Sequence, residues 1–158
     1  MATSIRYDII HEIKSILEDI TIVNGFLTNV AFVSDKLKID HPEELDNDKF
    51  PACFILDETE TKEALTIFSD TGDDMSSLFT VSITSIIFDR EGDTILARTN
   101  LMQDVEKAIV GDAGLLALLI EPAAPTTVET DQGYFGNYSV FKQSFDCQYI
   151  YAHANGGA

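Results

Sequence analysis

The chain has 158 residues, enough for one ordinary domain and too few for two full ones. Hydrophobic types make up 45%, with ten Phe and five Tyr, which is ample for a packed core and argues against global disorder. The 27 acidic side chains face 10 basic ones, a formal net charge of −17, which argues against general binding to a nucleic-acid backbone and against docking on an anionic membrane.

The charge is uneven: residues 40–74 hold 12 acidic and 2 basic side chains. A helix is expected from Ser4 to Ile20, because Ile5, Ile9, Ile13, Ile16, Leu17 and Ile20 fall on one stripe. Thr3 or Ser4 can cap it. The start of the chain lacks the apolar h-region of a signal peptide, and no apolar run reaches the roughly 20 residues of a membrane span. The reading is an unsecreted soluble protein. A short strand follows at 30–33, then a long polar loop from Ser34 to Lys49. Pro51 opens the next strand, PACFIL, which ends at Leu56. Residues 57–74 read as a polar edge strand and a second loop around Asp70–Asp74.

A long strand is expected from Leu78 to Phe88. Val81, Ile83 and Ile87 lie on one face, and Ser82, Thr84, Ile86 and Phe88 on the other. The turn 89–93 leads to a second helix, Thr94 to Val110, with Asp93 as its cap and Gly111 as its stop. Leu115–Ile120 fits either a strand or a buried helical turn, and Pro122–Thr127 reads as a loop. The last strand alternates Phe141, Phe145, Cys147, Tyr149 and Tyr151 against Lys142, Ser144, Asp146 and Gln148. The expected fold is α+β, a single sheet of four to five mostly antiparallel strands with two helices packed on one face. Residues 1–152 form one domain, and 153–158 read as a flexible tail.

Few groups suggest chemistry. His11, His41 and His153 have no metal-ligand spacing. Cys53 and Cys147 read as buried thiols, with a single disulfide left open. Asp57, Glu58 and Glu60 could hold a divalent ion as in a nuclease, with Lys62 steering water, but a solvated edge strand is the better reading. Asp46–Asp48 and Asp70–Asp74 are incomplete calcium loops. Phe141, Phe145, Tyr149 and Tyr151 fit a core better than a base-stacking platform. On the other face Ile86, Phe88, Val140 and Ile150 are apolar, which calls for cover by a subunit or by another part of the domain. No catalytic, cofactor-binding or metal residue is assigned, and no cofactor is expected.

The order of pieces is informative. An amphipathic helix precedes a strand, a loop and Lys49-Phe-Pro-Ala-Cys-Phe-Ile-Leu56. SLFTVSITSIIF leads to a helix containing Asp104-Val-Glu-Lys-Ala-Ile109, and Gly133-Tyr-Phe-Gly136 introduces the closing strand. Over nearly its whole length this pattern resembles the tail terminator, or tail completion, proteins of tailed bacteriophages. The resemblance implies a non-enzymatic virion protein at the head-proximal end of the tail, assembled in the host cytoplasm. It implies a homo-hexameric ring that caps the tail tube, stops its polymerisation and joins it to a neck or connector protein. Segments Ser34–Lys49 and Asp57–Asp74 would then make ring, tube or neck contacts. Genomic DNA would pass through an acidic lumen without specific binding.

Overall fold

The computed structural model describes residues 3–35, 46–64, 74–89, 94–131 and 137–152. Among them the chain forms five strands and three α-helices. Helix α1 spans Ile5–Glu18, and the Ser4 hydroxyl caps it by accepting the Tyr7 N–H at 3.2 Å. Its stripe of Ile9, Ile13, Ile16 and Leu17 is buried, as the 3.6-residue period requires. Helix α2 spans Thr94–Gly111 and buries Leu101, Asp104, Val105, Ala108 and Ile109.

The strands are β1 (Phe32–Ser34), β2 (Ala52–Ala64), β3 (Asp74–Phe88), β4 (Ala124–Thr130) and β5 (Tyr138–Ala152). They form one sheet in the order β1-β2-β3-β5-β4. Only the β1–β2 pair is parallel. At its centre β3 pairs with β5 without a break, from Asp74 opposite Ala152 to Phe88 opposite Tyr138. The expected single mostly antiparallel sheet, with helices on one face, is what forms.

Two local expectations change, and one open choice is settled. The strand begun by PACFIL does not stop at Leu56 but continues to Ala64, with a bulge between Asp57 and Glu60. The polar stretch hides this because it buries little; its pairing with β3 makes it a strand. Pro51 itself stands just before β2. Pro122–Thr127 is not simply a loop, since β4 begins at Ala124. All seven β4 residues are exposed, so no burial alternation marks it, and pairing with β5 alone defines it. Of Leu115–Ile120, the residues up to Leu118 belong to a short helix, α3 (Ala113–Leu118), capped by the Asp112 carboxylate on Leu115 N–H at 2.7 Å, and Leu119 and Ile120 follow it.

The core lies between the sheet and the helices. Phe79, Val81, Ile83, Ile87, Phe141, Phe145, Cys147 and Tyr149 meet Ile9, Ile13 and Leu17 of α1 and Leu101, Val105 and Ile109 of α2. The aromatic alternation of the last strand is therefore core packing, worth about 1.5–3 kcal/mol for each large side chain removed from water. On the opposite face Ala52, Phe54 and Ile86 form a second cluster, with Phe32, Phe50, Tyr138 and Val140 packed against it. The rings of Phe50, Phe88 and Tyr138 lie 5.0–6.2 Å apart. The chain itself thus covers the end of that face containing Ile86, Phe88 and Val140. Ile150, near the other end of β5, stays 45% exposed.

Most of the Ser34–Lys49 loop, much of 57–74, residues 90–93 of the turn before α2 with the expected cap Asp93, the Gly133–Gly136 phrase, His41, His153 and the 153–158 tail lie outside the described residues. No helix among the described residues is long and apolar enough to cross a membrane.

Candidate functional site

The carboxylates after PACFIL are divided between the two faces of the sheet. The bulge places Asp57 opposite Val81 and Glu60 opposite Phe79, both on the helix side. There Arg6 of α1 reaches both acids, at 2.6 Å to Asp57 and 2.9 Å to Glu60. Its guanidinium also lies over the Phe79 ring, 4.6 Å from the centroid. Glu60 further accepts the hydroxyls of Ser77 and Tyr149. Burial raises its pKa, but these two hydrogen bonds and the nearby charges of Lys62 and Arg6 outweigh that and hold it below the ordinary carboxyl value. Burial, reinforced by Glu60, pushes the Tyr149 hydroxyl up to about 12.

Glu58 lies across the sheet from this network. Its carboxylate pairs with Lys142 at 2.6 Å. The Lys142 hydrogen bond is the main reason its pKa falls, against a smaller opposing effect of burial. The Lys62 ammonium lies over the Tyr151 ring at 5.1 Å. The acids that could have formed a metal-holding group therefore diverge, and each of the three has a cationic partner. Among the described residues no three His, Cys, Asp or Glu side chains converge to hold a metal ion. Asp46 precedes a single 3-10 turn, Asn47–Lys49, and Asp48 lies within it.

Cys53 and Cys147 are both free and buried. Burial pushes their thiols up to about 11 and about 12, so both are protonated at neutral pH. They lie on strands separated by β3, which closes the disulfide left open by the sequence. His11 is exposed on α1 and stacks on Tyr7 at 5.9 Å.

Two features had no clear sequence signal. Asp104 is 2% exposed, and its carboxylate accepts the N–H groups of Leu27 and Thr28 at 2.8–3.1 Å and the Thr28 hydroxyl at 2.6 Å. It anchors the loop after α1, which is closed at its base by Val30 N–H on Ile20 C=O and turns at Gly25 with φ +90°. The tip of that loop leaves Val23 94% exposed. A hint existed: Asp104 follows Leu101 by three residues and so falls on the buried stripe of α2.

Between α1 and α2 runs a groove of about 370 Å³, lined in part by Glu12, Asp19, Phe26, Lys107 and Asp112. Burial, then the hydrogen bond and charge of Asp112, raise the Glu12 pKa. Gly114 leaves room for this carboxyl, since a Cβ there would sit 2.5 Å from Glu12 Oε1. A second groove of about 460 Å³ separates α2 from β4 and is lined by Met102, Pro125, Val128, Gln143 and Phe145 among others. Gln143 donates to Met102 C=O at 3.0 Å, while its buried Oε1 has no partner among the described residues. The first groove is thus flanked by helices, the second by α2 and the sheet edge. No family model matches the chain, and no curated protein matches it.

Proposed function

We propose that the chain is a non-enzymatic virion structural protein, a tail terminator whose copies close into a homo-hexameric ring at the head-proximal end of a bacteriophage tail. In this reading the ring caps the tail tube, stops its growth and joins it to a neck or connector protein. DNA passes through without specific binding. The observation that carries the reading is the order of elements around one sheet: an amphipathic helix, a short strand, two long strands, a second helix and a long closing strand. The use of the charges supports it, because Arg6, Asp57, Glu58, Glu60, Lys142 and Asp104 act as ties between elements. The net charge of −17 fits a surface that DNA passes rather than grips.

The test combines mass with tube growth. Light scattering of the chain with tail tube protein should give a ring species of six times the 17.4 kDa chain, and tubes assembled in its presence should be shorter and capped. A monomer that leaves tube length unchanged would overturn the reading. Capped tubes without sixfold mass would retain the tail role and overturn the hexamer.

A further inference from the structure

The two edges of the sheet are treated differently. On one side β1 covers only Ala52–Phe54 of β2. Beyond it, β2 carries Asp57, Glu58, Glu60, Lys62 and Glu63, has a bulge, and is gripped by Arg6. Charges and bulges of this kind keep other strands from pairing. On the other side β4 is guarded only at its start, by Pro125 and a register shift between Pro125 and Thr127. Its second half, Thr127–Thr130, has one charge, Glu129.

Backbone geometry shows what this half offers. Asp131 N–H bonds to Val140 C=O at 3.0 Å, directed into the sheet. In an antiparallel ladder the inward-bonding residues alternate. Glu129 and Thr127 therefore also bond towards β5, while Val128 and Thr130 turn their N–H and C=O groups outward. Val128 stands opposite Gln143, on the helix side, above the groove between α2 and β4. Its side chain is 54% exposed.

We infer that β4 pairs with β4 of a second copy of this chain, antiparallel about a two-fold axis at Val128, making one ten-stranded sheet. A two-fold contact needs a self-complementary strip. Centred on Val128, the strip Thr127–Glu129 satisfies that need: Val128 exchanges both backbone bonds with its equivalent, and Glu129 faces Thr127. No like charges stand directly opposite one another. The two Val128 side chains meet on the helix side and roof both grooves. A strand pair this short covers on the order of several hundred Å², below the roughly 1,200 Å² of stable complexes, so the association is weak. Each copy carries −17, so added salt should strengthen the pairing, opposite to its effect on binding a basic partner.

This goes beyond the ring reading and does not rest on it, because a two-fold contact can join two single chains as well as two rings. Sedimentation equilibrium of the full chain, over rising concentration and salt, is the test. Val128→Pro removes an outward N–H without touching a bond to β5, so it should halve the limiting mass, whether that falls from two copies to one or from twelve to six. Circular dichroism should confirm that the variant is folded. Val128→Cys should form an inter-chain disulfide under mild oxidation, and Glu129→Cys should not. An unchanged limiting mass in folded Val128→Pro would overturn the inference. So would failure of Val128→Cys to cross-link where the wild type self-associates. A sixfold mass retained in both wild type and Val128→Pro would overturn this inference and leave the ring reading standing.

Discussion

Each face of the sheet carries an apolar cluster and an ion pair, but in different settings. On the helix side Phe145 is fully buried within a cluster drawn from three helices and four strands. On the outer side Phe54 is just as buried, yet its neighbours Phe32, Phe50, Tyr138 and Val140 are only partly covered. The ion pairs repeat the contrast. The side chain of Glu60 is 7% exposed, whereas those of Glu58 and Lys142 are about a third exposed, at 33% and 34%. Burial depth, rather than residue type, should therefore set the cost of damage on each face.

The largest loss should follow Phe145→Ala, about 3–5 kcal/mol, because its buried neighbours on the helices and the sheet cannot fully close the cavity left behind. Phe54→Ala should cost about 2–3 kcal/mol, since the half-exposed rings around it can close in. Denaturant unfolding of the two variants checks the order, and equal losses would erase the distinction between the faces. Glu60→Ala should cost about 1–3 kcal/mol by stranding the Ser77 and Tyr149 hydroxyls, while Arg6 keeps Asp57. Lys142→Ala should cost at most about 1 kcal/mol, and the loss should shrink further at high salt, because exposed pairs are screened.

Acid sharpens the same contrast. The pKa values of Glu58 and Glu60 are both lowered in the folded chain. Their contribution to stability is thus present above the unfolded carboxyl value of about 4.3 and is lost as pH falls through the folded values. Urea midpoints measured from pH 7 down to pH 3 should fall less steeply in Glu60→Gln than in the wild type. The smallest change belongs to Glu12, whose raised pKa works the other way: its contribution is fully present at low pH and lost as pH rises. Glu12→Gln should gain a few tenths of a kcal/mol at pH 7 by removing the repulsion from Asp112. A loss there would show that the pair is held together rather than pushed apart.

Legibility followed burial. The α1 stripe, the alternation of Val81, Ile83 and Ile87, and the aromatic parity of β5 could all be read because each repeats at the period of its element. The continuity of the 57–64 edge strand with PACFIL and the strand at 124–130 were not legible, because both segments are mostly exposed and an exposed strand has no apolar alternation to display. Leu115–Ile120 was ambiguous because a six-residue apolar run fits either state, and the cap on Leu115 N–H decided it. Among the charged groups, Glu60 and Lys62 were noticed as a pair. Their actual partners, Arg6, Tyr149 and Tyr151, are distant in the chain and carry no local signal.

By itself the sequence determined one α+β domain, an acidic surface, the buried face of each main helix and the inward residues of the two central strands. Those properties follow from composition and short-range periodicity. Tertiary structure decided the order of the strands, the division of Glu58 from Asp57 and Glu60, the burial of Asp104 against the 27–28 backbone, and which sheet edge stays open. Each depends on pairing between segments far apart in the chain, where hydrogen-bond register and close packing choose among arrangements that local pattern leaves equal.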